Sequence, residues 1–437
     1  MDRSLLPTRP ARGPSSPDFW RSPLRGSRFT SVLGVVLLGG ITILFVTGLL
    51  SYAAYNPDLS PVNDKTPGKG LLGFYLFSWP TDPPWLYRLT QGVHVTLGLT
   101  LVPVLLAKLW SVVPRLFTLP PVRSLTHALE RISLLLLVGG ALFQFVTGIL
   151  NVQLDYVFPG SFYPLHFYGA WVFFGAFLAH TVLKAPVAFR NLREMREGRE
   201  GREGREEREE REEREGGEER ADELAAPHPD PPTVSRRGAL GLVGGGSLLL
   251  FAGSAGRSFD GPLRETAFLT PHGGPEPGSG PAGFQVNKTA AYAGIRAEET
   301  TEEAWRLTVT GRLGTVRLAR ADLLGMPQHT AELPIACVEG WSTSDQSWRG
   351  VRLRDLAALV GHDEPADVFV ESLQRRGAFR RGALRDNQVG DPRSLLALFV
   401  NGEELTPDHG HPARIIVPAA PGVLNTKWVA RLTFGEL

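Results

Sequence analysis

The sequence predicts a multidomain chain: an all-α transmembrane four-helix bundle plus one further transmembrane helix, followed by a mainly β (α+β) domain. Three observations predict it. Residues 30 to 188 are dominated by apolar runs, residues 190 to 237 are almost entirely charged or small and polar, and the rest alternates apolar with polar positions between turn residues. The 437 residues leave room for two or three domains, and 46 basic residues offset by 45 acidic ones, a net charge of +1, argue against a nucleic-acid surface. The boundaries fall at composition changes: an N-terminal tail over 1–30, the membrane bundle over 31–189, a charged linker over 190–234, a signal-like helix over 235–256, a flexible linker over 257–282 and the last domain over 283–437.

Four segments are long enough for a hydrocarbon core of about 30 Å, which takes roughly 20 helical residues. They are Ser31 to Ala54, Gly92 to Val113, Ile132 to Val152 and Phe167 to Val187. Orientation follows from the Lys and Arg count of their flanks. The first thirty residues hold six Arg, Arg115 and Arg123 follow the second span, and Arg190 and Arg193 follow the fourth, whereas the other two loops hold only Lys65, Lys69 and Arg88. The N-terminus and the exit of span four are therefore expected in the cytoplasm.

The histidines then sort by depth. His94 opens span two on the outer side, His127 sits at the inner entry of span three, and His166 and His180 bracket span four. Fourteen residues separate His166 from His180, close to four turns, which puts both on one face roughly 21 Å apart. Pairing by depth gives His94 with His166 and His127 with His180. Two facing neutral imidazoles can supply both axial ligands of a haem iron, and Gly98, Gly139, Gly140 and Gly169 leave room for a flat macrocycle. The bland reading makes each histidine an interfacial or helix-end residue; four at matched depths weigh against it, because intramembrane ionisable groups are costly unless paired or functional. Two haem b are expected, and the lack of a C-x-x-C-H motif excludes covalent attachment. Residues 25 to 190 resemble the bacterial di-haem membrane cytochromes b. The resemblance implies electron exchange with a membrane quinone, although no residue reads as a quinone site.

From Asn191 to Arg220 runs an Arg/Glu/Gly tract that reads as a solvated spacer or a single charged helix, ended by the Pro-rich APHPDPPTV. SRRGALGLVGGGSLLLFAGSAG follows, with paired Arg236 and Arg237 before a short apolar run. It resembles a twin-arginine export signal placed internally, and the alternative is an ordinary anchor whose arginines only obey the charge rule. Either way the last domain is expected outside a bacterial cytoplasmic membrane crossed several times.

That domain reads as mainly β. WRLTVTG and VFVESL alternate like half-buried strands, ARADLLGM and RLRDLAALVG are short amphipathic helices, and PARIIVPA with KWVARLTF reads as a late strand pair. Cys337, the only cysteine, lies at the end of LPIACV, a strand entering a Gly-containing turn. A lone thiol makes no internal disulfide, so it is buried filler, a nucleophile or a ligand for a soft metal.

CVEGWS, then W-x-G-V-x-L-x-D-L, LALFVNGEELTPDHGHPARIIVP and NTKWVARL, in that order over residues 283 to 437, resemble the molybdopterin-binding domain of the sulfite oxidase superfamily. The resemblance implies a molybdenum–molybdopterin cofactor with Cys337 giving its thiolate to the metal. It places Asn287, Lys288 and Thr289 on an early loop near the cofactor, Trp341 and Ser342 after the ligand, and Arg414, Lys427 and Trp428 at late pocket positions. Arg and Lys there would hold the pterin phosphate. His409 and His411 of DHGHP would be pocket or supporting groups. Each also has a structural reading: Trp341, Trp348 and Trp428 as core, Arg414 as an ion-pair partner, Lys427 as surface charge, HGHP as a turn. Arg375, Arg376, Arg380 and Arg381 lie where the family's sulfite oxidases aim cations at an anionic substrate, but their spacing identifies no pocket.

The expected function is a membrane-anchored, molybdenum-dependent oxidoreductase. It transfers an oxygen atom to or from a small-molecule or protein-borne substrate and passes electrons through b-type haems to or from quinone. Reduction of a sulfoxide or N-oxide is favoured over oxidation of a sulfite-like donor. The rival is a haem-bearing respiratory carrier whose exported domain is a non-catalytic docking module.

Overall fold

The computed structural model describes residues 19–59, 77–117, 125–153, 162–202, 230–259, 261–269, 280–376 and 379–437, with Gly13, Pro14, Ser16 and Phe158. The N-terminal tail before Gly13, the loop with Lys65 and Lys69, Arg123, most of the Arg/Glu/Gly tract and the Gly/Pro linker at 270–279 lie outside these residues.

Five long helices form from the apolar runs: α1 (Ser27–Ala54), α2 (Leu86–Val112), α3 (Leu125–Val152), α4 (Tyr163–Arg202) and α5 (Arg236–Ser258). α4 runs past its apolar part into the charged tract, where straight-chain Arg and Glu favour helix. Among the described residues five stretches are long and apolar enough to cross a membrane: Arg28–Ala54, Leu86–Phe117, Arg131–Val152, Tyr163–Val182 and Arg236–Ser258. Many of their large side chains face outward: Leu135 is 63% exposed, Val182 74% and Leu242 71%, an arrangement that suits lipid better than water.

Two compact units divide the described chain, and the division cuts through the helices. The first comprises residues 1–43, 98–146 and 169–250. In it Gly40 lets α2 come close, since a Cβ there would lie 2.4 Å from Leu101, and Gly140 does the same for Phe173 of α4. Lys108 Nζ donates to Thr30 O at 2.6 Å, which satisfies an amine inside an apolar helix pair.

The second unit comprises residues 44–97, 147–168 and 251–437. After the short α6 (Ala290–Ala293) the described residues of its β part hold ten strands: β1 (Leu307–Gly311), β2 (Gly314–Leu318), β3 (His329–Leu333), β4 (Gln346–Arg352), β5 (Val368–Ser372), β6 (Arg381–Leu384), β7 (Leu395–Val400), β8 (Glu403–Glu404), β9 (Arg414–Ile416) and β10 (Val429–Phe434). Three short helices interrupt them: α7 (Arg320–Gly325), α8 (Leu353–Ala358) and α9 (Asp386–Gly390). One sheet has the order β2-β1-β10-β5-β6, parallel only between β1 and β10. The other has the order β3-β4-β7-β8, with β9 also on β7.

The expected late strand pair is corrected here. β9 pairs with β7, whereas β10 lies between β1 and β5 in the other sheet. Proximity in sequence suggests a hairpin, but the turn between them is long and the pairing follows burial. The apolar run LLALFV explains the arrangement: β7 buries Leu396 and Leu398 in the larger core with Val309, Val370 and Leu432, and Leu395, Ala397 and Val400 in a second core with Phe284, Cys337 and Trp348. The second core underlies the site.

Candidate active site

Cys337 sits in a tight turn. β3 stops at Leu333, short of the strand end expected at the cysteine, and Ala336 keeps only isolated bridges to Ser342 and Pro421. Cys337 N donates to Trp341 O at 2.8 Å and Gly340 N to Cys337 O at 3.1 Å, with Gly340 at φ +96°, a conformation suited to glycine. The thiol is buried. Its Sγ donates to Glu339 Oε2 at 2.5 Å, Trp341 Nε1 donates to the same oxygen at 3.0 Å, and Asn287 Nδ2 lies 3.9 Å from the sulfur. Burial pushes the thiol well above its usual pKa and the Glu339 carboxylate pushes it further, so this is no activated nucleophile. Such a sulfur loses its proton when a metal replaces it.

Beside this turn lies a buried cationic cradle. Arg414 is 5% exposed, yet among the described residues its guanidinium meets carbonyls and no carboxylate: Nη1 donates to His409 O at 3.0 Å and Nη2 to Asn425 O at 3.2 Å, over the Trp348 ring at 5.1 Å. Lys427 Nζ donates to Lys288 O and, at 2.9 Å, to Asp408 O, and lies 4.6 Å from the Trp428 ring centroid. Burial pulls Arg414 down to about 9, and burial together with Arg414 and Lys288 pulls Lys427 well below its ordinary value. His409 packs against Phe284 with ring centroids 4.1 Å apart and planes tilted by 57°, holds Thr406 Oγ1 with Nδ1 at 2.8 Å, and is pulled down to about 4 by burial and Arg414. Arg414 Nε, His409 Nε2 and Thr426 Oγ1 are buried without hydrogen-bond partners among the described residues. Two buried cations and three orphaned polar atoms in one place fit an anionic, hydrogen-bonding ligand.

Other candidate residues are committed elsewhere. Thr289 caps α6, its Oγ1 accepting from Tyr292 N at 3.2 Å, while Asp408 Oδ1 accepts from Ala290 N at 2.8 Å and ties that loop to the cradle. Trp341 belongs to the second core. Trp428 is buried at φ +53°, its Nε1 donating to Pro407 O at 2.7 Å. Ser342 turns away: its N–H donates to Arg257 O at 2.7 Å and its hydroxyl to Ser258 O at 2.8 Å, both at the end of α5. His411 lies near Arg320, which pairs with Glu302 and Glu404. Of the arginine cluster, Arg375 is bound by Glu299 through both carboxylate oxygens, and Arg375 N and Arg376 N donate to Ala293 O beside the early loop.

The same unit brings His94 and His166 together, with ring centroids 6.1 Å apart and planes at 85°. His94 Nδ1 lies 3.0 Å from Leu44 O, which can only accept, so this nitrogen carries the proton and Nε2 the lone pair. Thr47 Oγ1 is also 3.0 Å from His94 Nδ1, and Thr147 Oγ1 is 3.0 Å from His166 Nδ1. A Cβ on Gly48 would touch His94 Cε1 at 3.3 Å, and one on Gly148 would touch His166 Cε1 at 3.4 Å. The two settings repeat because the sequence repeats: LGGITILFVTG at 38–48 returns as VGGALFQFVTG at 138–148. This repeat is the signal that histidine spacing alone missed. His166 follows His94 by 72 residues, but 72 residues before His180 stands Lys108, so the inner level does not repeat the histidine. His180 is half-buried on α4, and the side chain of His127, in the first turn of α3, lies outside the described residues.

Residues 294–436 match the family model described as the oxidoreductase molybdopterin-binding domain. The chain is 33% identical over 131 residues to the uncharacterized oxidoreductase YuiH of Bacillus subtilis (strain 168), covering 30% of this chain and 65% of that one. It is 31% identical over 156 residues to mitochondrial sulfite oxidase of Mus musculus, covering 30% of this chain and 29% of the relative. Among solved structures, the sulfane dehydrogenase SoxCD of Paracoccus pantotrophus matches at TM-score 0.29 and 25% identity, over 31% of this chain and 39% of that one. The chain therefore spans less than two thirds of the length of these relatives.

Proposed function

We propose, from the match of residues 294–436 to the oxidoreductase molybdopterin-binding domain and their similarity to sulfite oxidase, that the whole chain is a membrane-anchored molybdenum enzyme with its own haem. It transfers an oxygen atom outside the cytoplasmic membrane and exchanges electrons with quinone. The observation that carries this reading is the pairing, in one compact unit, of a buried Cys337 beside a buried cationic cradle with two tethered imidazoles 6.1 Å apart. Imidazole nitrogens bind a metal at about 2 Å, so rings at this separation can flank one iron.

Bound molybdopterin supplies a metal that gives or accepts an oxygen atom with two electrons. The residues of this chain hold and orient it. Cys337 would provide the sulfur, Arg414 and Lys427 would take the phosphate, and Arg414 Nε, His409 Nε2 and Thr426 Oγ1 would supply further polar contacts. The second core, with Phe284, Trp341 and Trp348, keeps water from the sulfur and strengthens those contacts. Thr47 and Leu44 fix the His94 tautomer, as Thr147 fixes the ring of His166. We assign one b-type haem to His94 and His166; a second on His127 and His180 belongs to the same reading. The direction we favour is reduction of a sulfoxide or N-oxide, supported by the neutralisation of Arg375 by Glu299, which weakens the pull on an anion such as sulfite.

The test uses detergent-purified full-length protein analysed for molybdenum, iron and pyridine haemochrome. Haem reduced with dithionite is then mixed with a dialkyl sulfoxide or a trialkylamine N-oxide, and oxidised haem with sulfite. Reoxidation by the neutral oxides supports the reading, reduction by sulfite reverses its direction, and haem without molybdenum turns it to the docking-module alternative.

A further inference from the structure

We propose that α2 seats the Cys337 turn beside His94, with Gln91 and Val95 as positioning residues, and that this contact is the bridge along which single electrons pass between the two metal sites. The inference rests on the reading above that Cys337 and His94 each hold a metal.

Tyr87, Gln91, His94 and Val95 follow one another at helical spacing along a single face of α2. Gln91 Nε2 donates to Val338 O, one residue past the cysteine, at 2.5 Å. Val95 packs so tightly on Gly340 that a Cβ there would lie 2.7 Å from the valine's Cβ and both its methyls. The flanks of the turn are held as well. Ala336 is buried with Ala53, Ala54, Trp79 and Tyr87, and Ser342 is bonded to the end of α5, where Thr96 Oγ1 of α2 donates to Ser258 Oγ at 3.2 Å.

Gln91, Thr96 and Ser342 are all buried, so these bonds are made away from competing water. Farther out the same unit is joined by Trp79 Nε1 to Ala419 O at 2.7 Å and Asn56 Nδ2 to Gln388 Oε1 at 2.8 Å. A domain carried only on a linker would need none of these contacts. From Gln91 to His94 is three residues, about 4.5 Å along the helix axis. The path from the cysteine therefore runs through one peptide, one hydrogen bond and less than one helical turn.

No bond forms or breaks in the exchange and no proton moves. One electron leaves the reduced site as one arrives at the oxidised site, so two events match one two-electron turnover. Dithionite supplies the electrons in the test.

The experiment compares full-length wild type with Gln91→Leu and Val95→Phe, the first removing the hydrogen bond and the second wedging the turn away. The first readout, independent of activity, is hydrogen–deuterium exchange of the peptide spanning residues 335–343, expected to quicken about tenfold, the factor that one buried hydrogen bond is worth. The second is single-turnover reoxidation of reduced haem by a sulfoxide, expected to slow by a similar factor while haem spectrum, haem content and molybdenum content match wild type. Val95→Ala cannot clash, and keeps the test available if Val95→Phe folds poorly; it should loosen exchange in the same direction. Unchanged exchange and unchanged reoxidation overturn the proposal. Absence of haem from the wild type instead overturns the reading of His94 and with it the bridge, while the exchange result still decides whether α2 holds the turn.

Discussion

Replacing Arg414 by Met separates a structural cation from one that exists to hold an anion. Met nearly preserves the unbranched bulk of the side chain and discards the charge. Burial drags the guanidinium from its ordinary value down to about 9, equivalent to roughly 5 kcal/mol against the cation in the empty pocket. Against that gain, the substitution leaves His409 O and Asn425 O unsatisfied at about 1–3 kcal/mol each, and it loses the contact over Trp348, about 1 kcal/mol. These effects oppose and nearly cancel, so the cofactor-free protein should change stability by less than about 2 kcal/mol. Cofactor retention behaves differently, because a charge-assisted hydrogen bond is worth about 1.5–3 kcal/mol, or about 10- to 150-fold in affinity. The assay measures thermal unfolding of protein from cells that cannot make the cofactor, beside molybdenum and pterin content of protein from cells that can. A large fall in the melting temperature of the empty protein with full cofactor content would refute the reasoning and make Arg414 a structural residue.

Three further outcomes are expected. Cys337→Ser should lose molybdenum while the pterin stays, since the cradle is untouched, measured by elemental analysis beside pterin fluorescence. Thr47→Val and Thr147→Val should each weaken haem retention by about 10- to 100-fold, the usual effect of removing a group that orients a metal-binding histidine, measured by haem titration of the washed protein. In the cofactor-free chain His409 is held to about 4, below its ordinary 6.5. Its contribution is therefore fully present above pH 6.5 and lost as pH falls toward 4, about 3 kcal/mol in all. Urea unfolding across that window should show the decline, and His409→Gln should flatten it.

Much of this was legible in the chain and some was not, for physical reasons. The long helices announce themselves because their apolar runs have no other good use, and Cys337 stands out because it is single. Short strands such as WRLTVTG are visible in their alternation. The partner of a strand is not, since pairing is decided by burial across many residues: nothing local in PARIIVPA says that it lies against LLALFV and not against KWVARLTF. Ser342 follows the ligand in sequence, but its side chain turns toward α5 because a turn reverses direction within one residue. The Thr–Gly support of the histidine pair was present as a repeat one hundred residues apart, visible only when the two apolar runs are laid over each other.

The position of β10 has a consequence for how the protein is made. It joins β1 and β2 to β5 and β6, and the segment before it brings Lys427 and Trp428 to the cradle. A ribosome delivers residues 429–434 after every other strand, so until then β1 and β5 have open edges and the pocket lacks a wall. Cofactor capture must wait for the completed sheet. The five long apolar helices precede it in the chain, so they are complete while the β domain is still open.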